Sequence, residues 1–186
     1  MTQPLDPALP LEDLKAFLRF PSISTQLEHA PDLDSCAEWL REKLTAIGLT
    51  ATIHTTPGSP VVVARSPRDT AKRTVLIYGH YDVQPAEPLS SWTTPPFEPR
   101  VEEGRVYARG AADNKGQILA HILGVAETLR EHGELPVNVI FLIEGEEEIG
   151  SPNLTEFLRE HRDELACDLV AISDTAMAPR NKPAVT

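Results

Sequence analysis

The sequence predicts an α/β fold in which helices cover both faces of a mostly parallel sheet. Helical stripes of apolar residues alternate along the chain with short strand-like runs, a pattern typical of this class. The run Val137 to Ile143 is almost entirely apolar, as expected for a strand that is buried on both faces. A chain of 186 residues, 41% of them hydrophobic, is long enough to bury one core. The predicted architecture is therefore a three-layer α/β/α sandwich.

The first third of the chain is predicted to contain two helices followed by two strands. Apolar residues recur at helical spacing after Pro10, and a second apolar stripe extends from about Leu33 to Ile47, where Gly48 is placed to end a helix. The runs Ala51 to His54 and Val61 to Ala64 flank a turn rich in proline and glycine, as a pair of strands would.

The clearest helix lies in the middle of the chain. Its broad apolar face extends from about Lys115 to His132 and is closed by Gly133. A shorter helix is expected from Asn153 to His161, before a strand from Leu169 to Ile172. The proline-rich segment from Trp92 to Pro99 cannot form a helix or a central strand, so we expect a long loop near the functional site.

Histidine and acidic residues follow four of the apolar runs. His80 and Asp82 come after Thr74 to Tyr78, Asp113 after Val106 to Ala108, Glu147 and Glu148 after Val137 to Ile143, and Asp174 after Leu169 to Ile172. In an open, mostly parallel sheet, functional groups gather beyond the carboxyl ends of the strands. One histidine and several carboxylates would then share a crevice, which is the composition of a site for two divalent metal ions.

The spacing of these residues suggests how such a site would work. A neutral imidazole at His80 is a candidate ligand, and Asp82 is placed to accept its other ring N–H. Asp113 would bridge two metal ions with its two oxygens. In an extended backbone Glu147 and Glu148 would point to different sides, which suits one as a ligand and the other as a base.

Each of these residues also has a purely structural interpretation. His80 and Asp82 would be a surface histidine beside a capping aspartate, and Asp113 would be a helix N-cap. The acidic segment at Glu147 would be a solvated turn before a helix whose N-terminus favours negative charge, and Asp174 would be another cap. The sequence pattern of any one segment leaves both interpretations open.

Composition restricts the partners and the location. A net charge of −11 argues against a nucleic-acid or anionic-membrane partner, since both are bound through an excess of lysine and arginine. The two cysteines do not make a disulfide framework, and no apolar run approaches the roughly 18 residues of a membrane-spanning helix. Residues 1–5 lack the features of a signal peptide, so a cytoplasmic location is expected.

Four motifs, taken together, resemble a known family. In chain order they are Gly-His-Tyr-Asp-Val-Gln-Pro, Trp-x-x-Pro-Pro-Phe, Arg-Gly-x-x-Asp-Asn-Lys-Gly and Glu-Gly-x-Glu-Glu-x-Gly-Ser. From about residue 10 to the last residue, the chain resembles the catalytic domain of the M20 metallopeptidases, which include carnosinase-like cytosolic dipeptidases, aminoacylases and related deacylases. The resemblance implies an α/β/α sandwich of the zinc-exopeptidase type and a cis peptide bond at Asp113-Asn114.

The resemblance also implies a role for each site residue. Its four metal ligands would be His80 and Asp174 on one ion, Glu148 on the other, and Asp113 bridging both. Asp82 would orient His80, and Glu147 would be the general base in the hydrolysis of an amide bond. The implied cofactors are two divalent ions, zinc first, with manganese or cobalt as alternatives.

In the family, one further histidine ligand and a smaller dimerising lid domain come from later in the chain. The resemblance therefore implies that residues 1–186 are the N-terminal part of a catalytic domain, that the full-length form is a homodimer, and that this part alone is inactive. No role is predicted for the histidines outside the motifs. The favoured function is hydrolysis of dipeptides or small peptides. The alternatives are a deacylase of N-acyl amino acids on the same fold and a non-catalytic metal-binding fragment.

Overall fold

The computed structural model describes residues 8–175. The α-helices are α1 (Ala8–Leu18), α2 (Ala30–Ala46), α3 (Lys115–His132) and α4 (Leu154–Glu160). The strands are β1 (Thr50–His54), β2 (Val61–Arg65), β3 (Thr74–His80), β4 (Arg100–Glu102), β5 (Arg105–Tyr107), β6 (Asn138–Glu144) and β7 (Leu169–Ile172). Short 3-10 turns are formed by Leu27–His29, Leu89–Ser91 and Glu147–Ile149.

Five strands form the central sheet in the order β1-β2-β6-β3-β7. Strand β3 is parallel to both β6 and β7, whereas β2 is antiparallel to β1 and β6. Four of the five strands therefore run in the same direction, which confirms the predicted mostly parallel sheet. Because β3 and β6 pair in register, His80 lies beside Glu144 at the carboxyl ends of these strands.

Helices cover both faces of this sheet. On one face, residues of α1, α2 and α3 such as Phe17, Leu40 and Ile122 form a core with alternate residues of β2 and β6. On the other face, Phe157 of α4 packs against the remaining residues of the same strands. Every residue of β6 is buried, so the predicted three-layer sandwich is confirmed.

The segment before Arg109 differs from the prediction. The run Val106 to Ala108 does not contribute a strand to the central sheet, because β5 pairs only with β4 in a separate two-stranded sheet. Glu103 and Gly104 both have positive φ and close this hairpin as a two-residue turn. Such a turn lets two three-residue strands pair directly with each other. Pairing parallel to a strand of the central sheet would instead need a long crossover connection.

The predicted loop from Trp92 to Pro99 is confirmed, since these residues form neither helix nor strand. The main-chain N–H of Arg109 donates to the carbonyl oxygen of Pro96 at 2.8 Å, and its guanidinium lies over the ring of Trp92. These contacts attach the loop to the segment that leads to Asp113.

Strand β7 lies at one edge of the sheet and, among the described strands, pairs with β3 alone. Its residues Leu169, Val170 and Ile172 are 59, 51 and 56% exposed. An apolar edge strand with open backbone groups favours pairing with another chain.

No helix among residues 8–175 is long and apolar enough to cross a membrane. Residues 1–5, on which the expected location partly depends, lie outside the described residues, and the cytoplasmic location stays a prediction.

Candidate metal centre

Five of the six predicted site residues come together at the carboxyl edge of the sheet: His80, Asp82, Asp113, Glu147 and Asp174. His80 is the last residue of β3, and Asp174 follows β7 by two residues. Asp113 precedes α3 by two residues, and its bond to Asn114 is cis, as the resemblance implies. Neighbouring parallel strands and one helix N-terminus thus deliver these side chains to one place.

The ring of His80 is completely buried, and its Nε2 faces three carboxylates. This nitrogen lies 3.2 Å from Oδ1 of Asp113, 3.3 Å from Oδ2 of Asp174 and 3.9 Å from Oε2 of Glu147. We call these four residues the His80 cluster. The Nε2 atom makes no hydrogen bond, although it is buried and surrounded by oxygen atoms.

The His80 cluster has the composition and spacing of a site for a divalent cation. Ligand atoms of His80, Glu147 and Asp174 lie within 4.8 Å of one another. Imidazole nitrogen and carboxylate oxygen are ligands that zinc uses, and three carboxylates at one imidazole would repel each other without a cation. The residues therefore fit the metal ions that the family resemblance implies.

The other ring nitrogen of His80 contacts Asp82, which is also completely buried. Its Nδ1 lies 3.1 Å from the main-chain oxygen of Asp82 and 3.3 Å from Oδ1. With Nδ1 as the donor, Nε2 carries the lone pair that a metal ligand needs. The contact predicted from the His-x-Asp spacing is present, and it includes the main chain as well as the carboxylate.

The carboxylate of Asp82 makes a second set of contacts that the sequence did not indicate. It accepts the main-chain N–H of Glu147 at 3.2 Å and that of Glu148 at 3.1 Å. Asp82 therefore joins His80 to the turn that carries both glutamates.

The two glutamates lie in a 3-10 turn, Glu147–Ile149, which we call the acidic turn. The expectation of an extended backbone at these residues was therefore wrong. Asp82 caps the main-chain N–H groups of this turn, which makes the tighter backbone favourable. The side chains still diverge. Glu147 faces His80, whereas Oε2 of Glu148 accepts a hydrogen bond from Gln84 at 2.8 Å.

Burial and charge together shift the pKa values of His80 and Glu147. Burial alone would lower the pKa of His80, but hydrogen bonding and the charges of Asp82 and Asp174 outweigh it and raise this pKa to about 9. Burial raises the pKa of Glu147, and the charges of Glu148 and Asp174 raise it further against the effect of His80. A raised pKa brings a carboxyl closer to the range useful for proton transfer.

Three supporting contacts were missed by sequence reasoning. The buried carboxyl of Glu144 accepts hydrogen bonds from the hydroxyls of Tyr78, at 2.6 Å, and Ser151, at 2.8 Å. Nε2 of His121 lies 2.6 Å from Oγ of Ser173, the residue before Asp174. The available signal for Glu144 was an acid at the end of an apolar run, whereas nothing in the sequence pairs His121 with Ser173.

The family comparison agrees with the motifs. Residues 76–185 match the family model described as Peptidase family M20/M25/M40. The chain is 42% identical over 132 residues to Beta-Ala-His dipeptidase of Homo sapiens, covering 70% of this chain and 26% of that protein. It is 33% identical over 187 residues to Cys-Gly metallodipeptidase dug1 of Schizosaccharomyces pombe, covering 93% of this chain and 39% of that protein.

A solved structure matches almost the whole chain. The M20 family metallo-carboxypeptidase Sso-CP2 from Sulfolobus solfataricus superposes with a TM-score of 0.87 at 40% identity, covering 96% of this chain and 40% of that one. The chain thus spans between about a quarter and two fifths of the length of these three relatives.

Proposed function

Because the chain belongs to Peptidase family M20/M25/M40, we propose that its residues form the metal-binding part of a hydrolase that cleaves amide bonds of dipeptides or small peptides. The buried, unbonded Nε2 of His80 facing three carboxylates is the observation that carries this proposal. The printed names of two relatives, a Beta-Ala-His and a Cys-Gly dipeptidase, support dipeptides as the substrate class.

The proposed cofactors are two divalent ions, with zinc expected first and manganese or cobalt as alternatives. His80 and Asp174 would hold one ion, Asp113 would bridge, and Glu148 would hold the other. Bound there, the ions would polarise the scissile carbonyl and lower the pKa of a water molecule. The distances from His80 to Asp113 and Asp174 support the first ion.

Glu147 is the proposed general base. It would accept a proton from water and return it to the leaving amine nitrogen. Its half-buried carboxyl lies 3.9 Å from Nε2 of His80 and has a raised pKa, which supports this role. Asp82 would hold the ring of His80 and the acidic turn in place through the contacts described above.

We further propose that residues 1–186 correspond to the N-terminal part of the catalytic domain of the relatives, as the motif resemblance implies. The matches span 40% of Sso-CP2 and 39% of the dug1 dipeptidase. A homodimer and the alternative of an N-acyl amino acid deacylase stay predictions.

Metal binding by the chain itself is the first test. Zinc or manganese at 100 times its Kd should stabilise the folded chain by about 2.7 kcal/mol and raise its thermal midpoint. His80→Ala should abolish this shift, whereas His132→Ala should preserve it, because the His132 side chain is 68% exposed and outside the cluster. An unchanged midpoint in the unsubstituted chain would contradict the proposed site.

Substrate class needs a second test. The chain joined to the C-terminal remainder of Sso-CP2 should hydrolyse β-alanyl-histidine or cysteinyl-glycine when zinc or manganese is present. Cleavage of N-acyl amino acids without cleavage of dipeptides would assign the deacylase instead.

A further inference from the structure

Gln84 contacts one residue of the acidic turn twice. Its Nε2 donates to the main-chain oxygen of Glu148 at 3.1 Å and to the carboxylate Oε2 of the same residue at 2.8 Å. A side-chain amide has two N–H hydrogens, so both are directed to Glu148. Gln84 itself is exposed, and Glu148 is half-buried.

Together with Asp82, this contact holds Glu148 at three points. Asp82 accepts the main-chain N–H of Glu148, while Gln84 donates to its main-chain oxygen and to one carboxylate oxygen. The second carboxylate oxygen, Oε1, receives no hydrogen bond from Gln84. The backbone of Glu148 is therefore held on both sides, and Gln84 occupies only one of its two carboxylate oxygens.

We propose that Gln84 is a positioning residue that presents Glu148 as a metal ligand. This inference rests on the proposed function, in which Glu148 holds the second ion. Hydrogen bonds to ligating carboxylates fix their orientation and contribute to metal affinity. A neutral amide does so without cancelling the negative charge of the carboxylate, whereas lysine or arginine at this position would compete with the metal.

A double-mutant cycle tests whether Gln84 acts through Glu148. Titration calorimetry measures the affinity for the second, more weakly bound zinc ion in the unsubstituted chain, Gln84→Met, Glu148→Gln and the double variant. We expect Gln84→Met to weaken zinc binding by about 10-fold, at the lower end of the effect of such supporting residues. In the Glu148→Gln background the same substitution should have no further effect.

Gln26→Met is the matched control, because Gln26 makes no side-chain cap hydrogen bond and lies outside the site. Its zinc affinity should equal that of the unsubstituted chain. Thermal midpoints in the presence of a chelator should be the same for Gln84→Met and for the control, since Gln84 is exposed. If Gln84 only stabilised the fold, Gln84→Met would lower the thermal midpoint and leave the zinc affinity equal to that of the unsubstituted chain.

The possible failures are distinguishable. Absence of zinc binding by the unsubstituted chain would overturn the proposed function and this inference together. An unchanged affinity in Glu148→Gln would remove Glu148 from the ligand set and overturn the inference. If Glu148→Gln weakens binding and Gln84→Met does not, or if Gln84→Met weakens it equally in both backgrounds, the inference alone is wrong.

Discussion

The ammonium group of Lys115 donates a hydrogen bond to the main-chain oxygen of Phe20 at 2.8 Å and joins the start of α3 to the segment that follows α1. Lys115 is completely buried, and its Nζ also lies 3.3 Å from the main-chain oxygen of Phe17. Burial lowers the pKa of this ammonium group. Asp113 lies two residues earlier, so the contact anchors one wall of the His80 cluster from within the core.

Lys115→Ala should lower the free energy of unfolding by about 2–4 kcal/mol, because it leaves a cavity and removes the donor from the buried carbonyl of Phe17 and the part-buried carbonyl of Phe20. Urea denaturation measures this loss. Arg159→Ala is the control, since the Arg159 side chain is 72% exposed and pairs with Glu156 at the surface, and it should cost less than about 1 kcal/mol. Equal losses in the two variants would show that the buried contact is not important for stability.

The adjacent glutamates should respond differently to substitution. In the joined protein described above, Glu147→Gln should lower turnover by about 10²- to 10⁴-fold and leave metal content nearly unchanged, because a base is not required to hold the ion. Glu148→Gln should lower the metal content itself. Metal analysis and dipeptide hydrolysis measure the two effects. Equal metal loss in both variants would contradict the assignment of Glu147 as the base and Glu148 as the ligand.

Residues 1–186 alone should not hydrolyse dipeptides detectably, even with excess zinc or manganese. One ion would have His80, Asp113 and Asp174 as ligands, but the other would have only Asp113 and Glu148, whereas catalytic zinc sites have three protein ligands. Activity should appear when the C-terminal remainder of a relative is supplied, covalently or in trans. Robust metal-dependent turnover by a monodisperse preparation of residues 1–186 would show that the second site is already complete.

The contact between His54 and His161, on the face of the sheet covered by α4, leads us to expect a pH effect on stability. The ring of His54 lies 4.6 Å from that of His161 and 5.4 Å from that of Phe157, between centroids. Burial, followed by the charge of His161, lowers the pKa of His54. Around and below a pH of about 6.5, the unfolded chain then binds more protons at His54 than the folded chain does, so His54 reduces stability as the pH falls.

His54→Phe should reduce the loss of stability between about pH 7.5 and about pH 5.5, since phenylalanine takes up no proton in this range. The comparison uses denaturation in the presence of a chelator at both pH values. His132→Phe should leave the pH dependence of the unsubstituted chain unchanged, because His132 is exposed. If His54→Phe also retains that pH dependence, the pair does not cause it.

Apolar periodicity was sufficient to predict most of the fold. The helix at Lys115 to His132 and the strand around Val139 were predicted closely, because burial imposes a helical or continuous apolar pattern on the residues themselves. The small β4-β5 hairpin was missed, since it depends on the turn at Glu103 and Gly104 rather than on an apolar pattern. Position after a strand of the central sheet also applies to His80, Glu147 and Asp174, whereas Asp113 reaches the His80 cluster from the segment before α3.

The supporting contacts were not predictable from sequence in the same way. Gln84 and Lys115 belong to types that usually lie in solvent, and their roles depend on which distant segment packs beside them. The 3-10 geometry of the acidic turn depends on Asp82, which is 65 and 66 residues away from the two N–H groups that it accepts. Such long-range hydrogen bonds leave no periodic pattern in the sequence.

Strand β7 has fewer partners than the other strands that lead to the site, because it pairs only with β3 among the described strands, and its end carries Asp174. Local opening of β7 would therefore need less free energy than opening of β3 or β6, and its amide hydrogens would exchange with solvent sooner. A cation held between Asp174 and His80 would link β7 to the centre of the sheet. Binding of a cation at this site would then slow the exchange of the amide hydrogens of β7, although the amide groups themselves do not bind the cation.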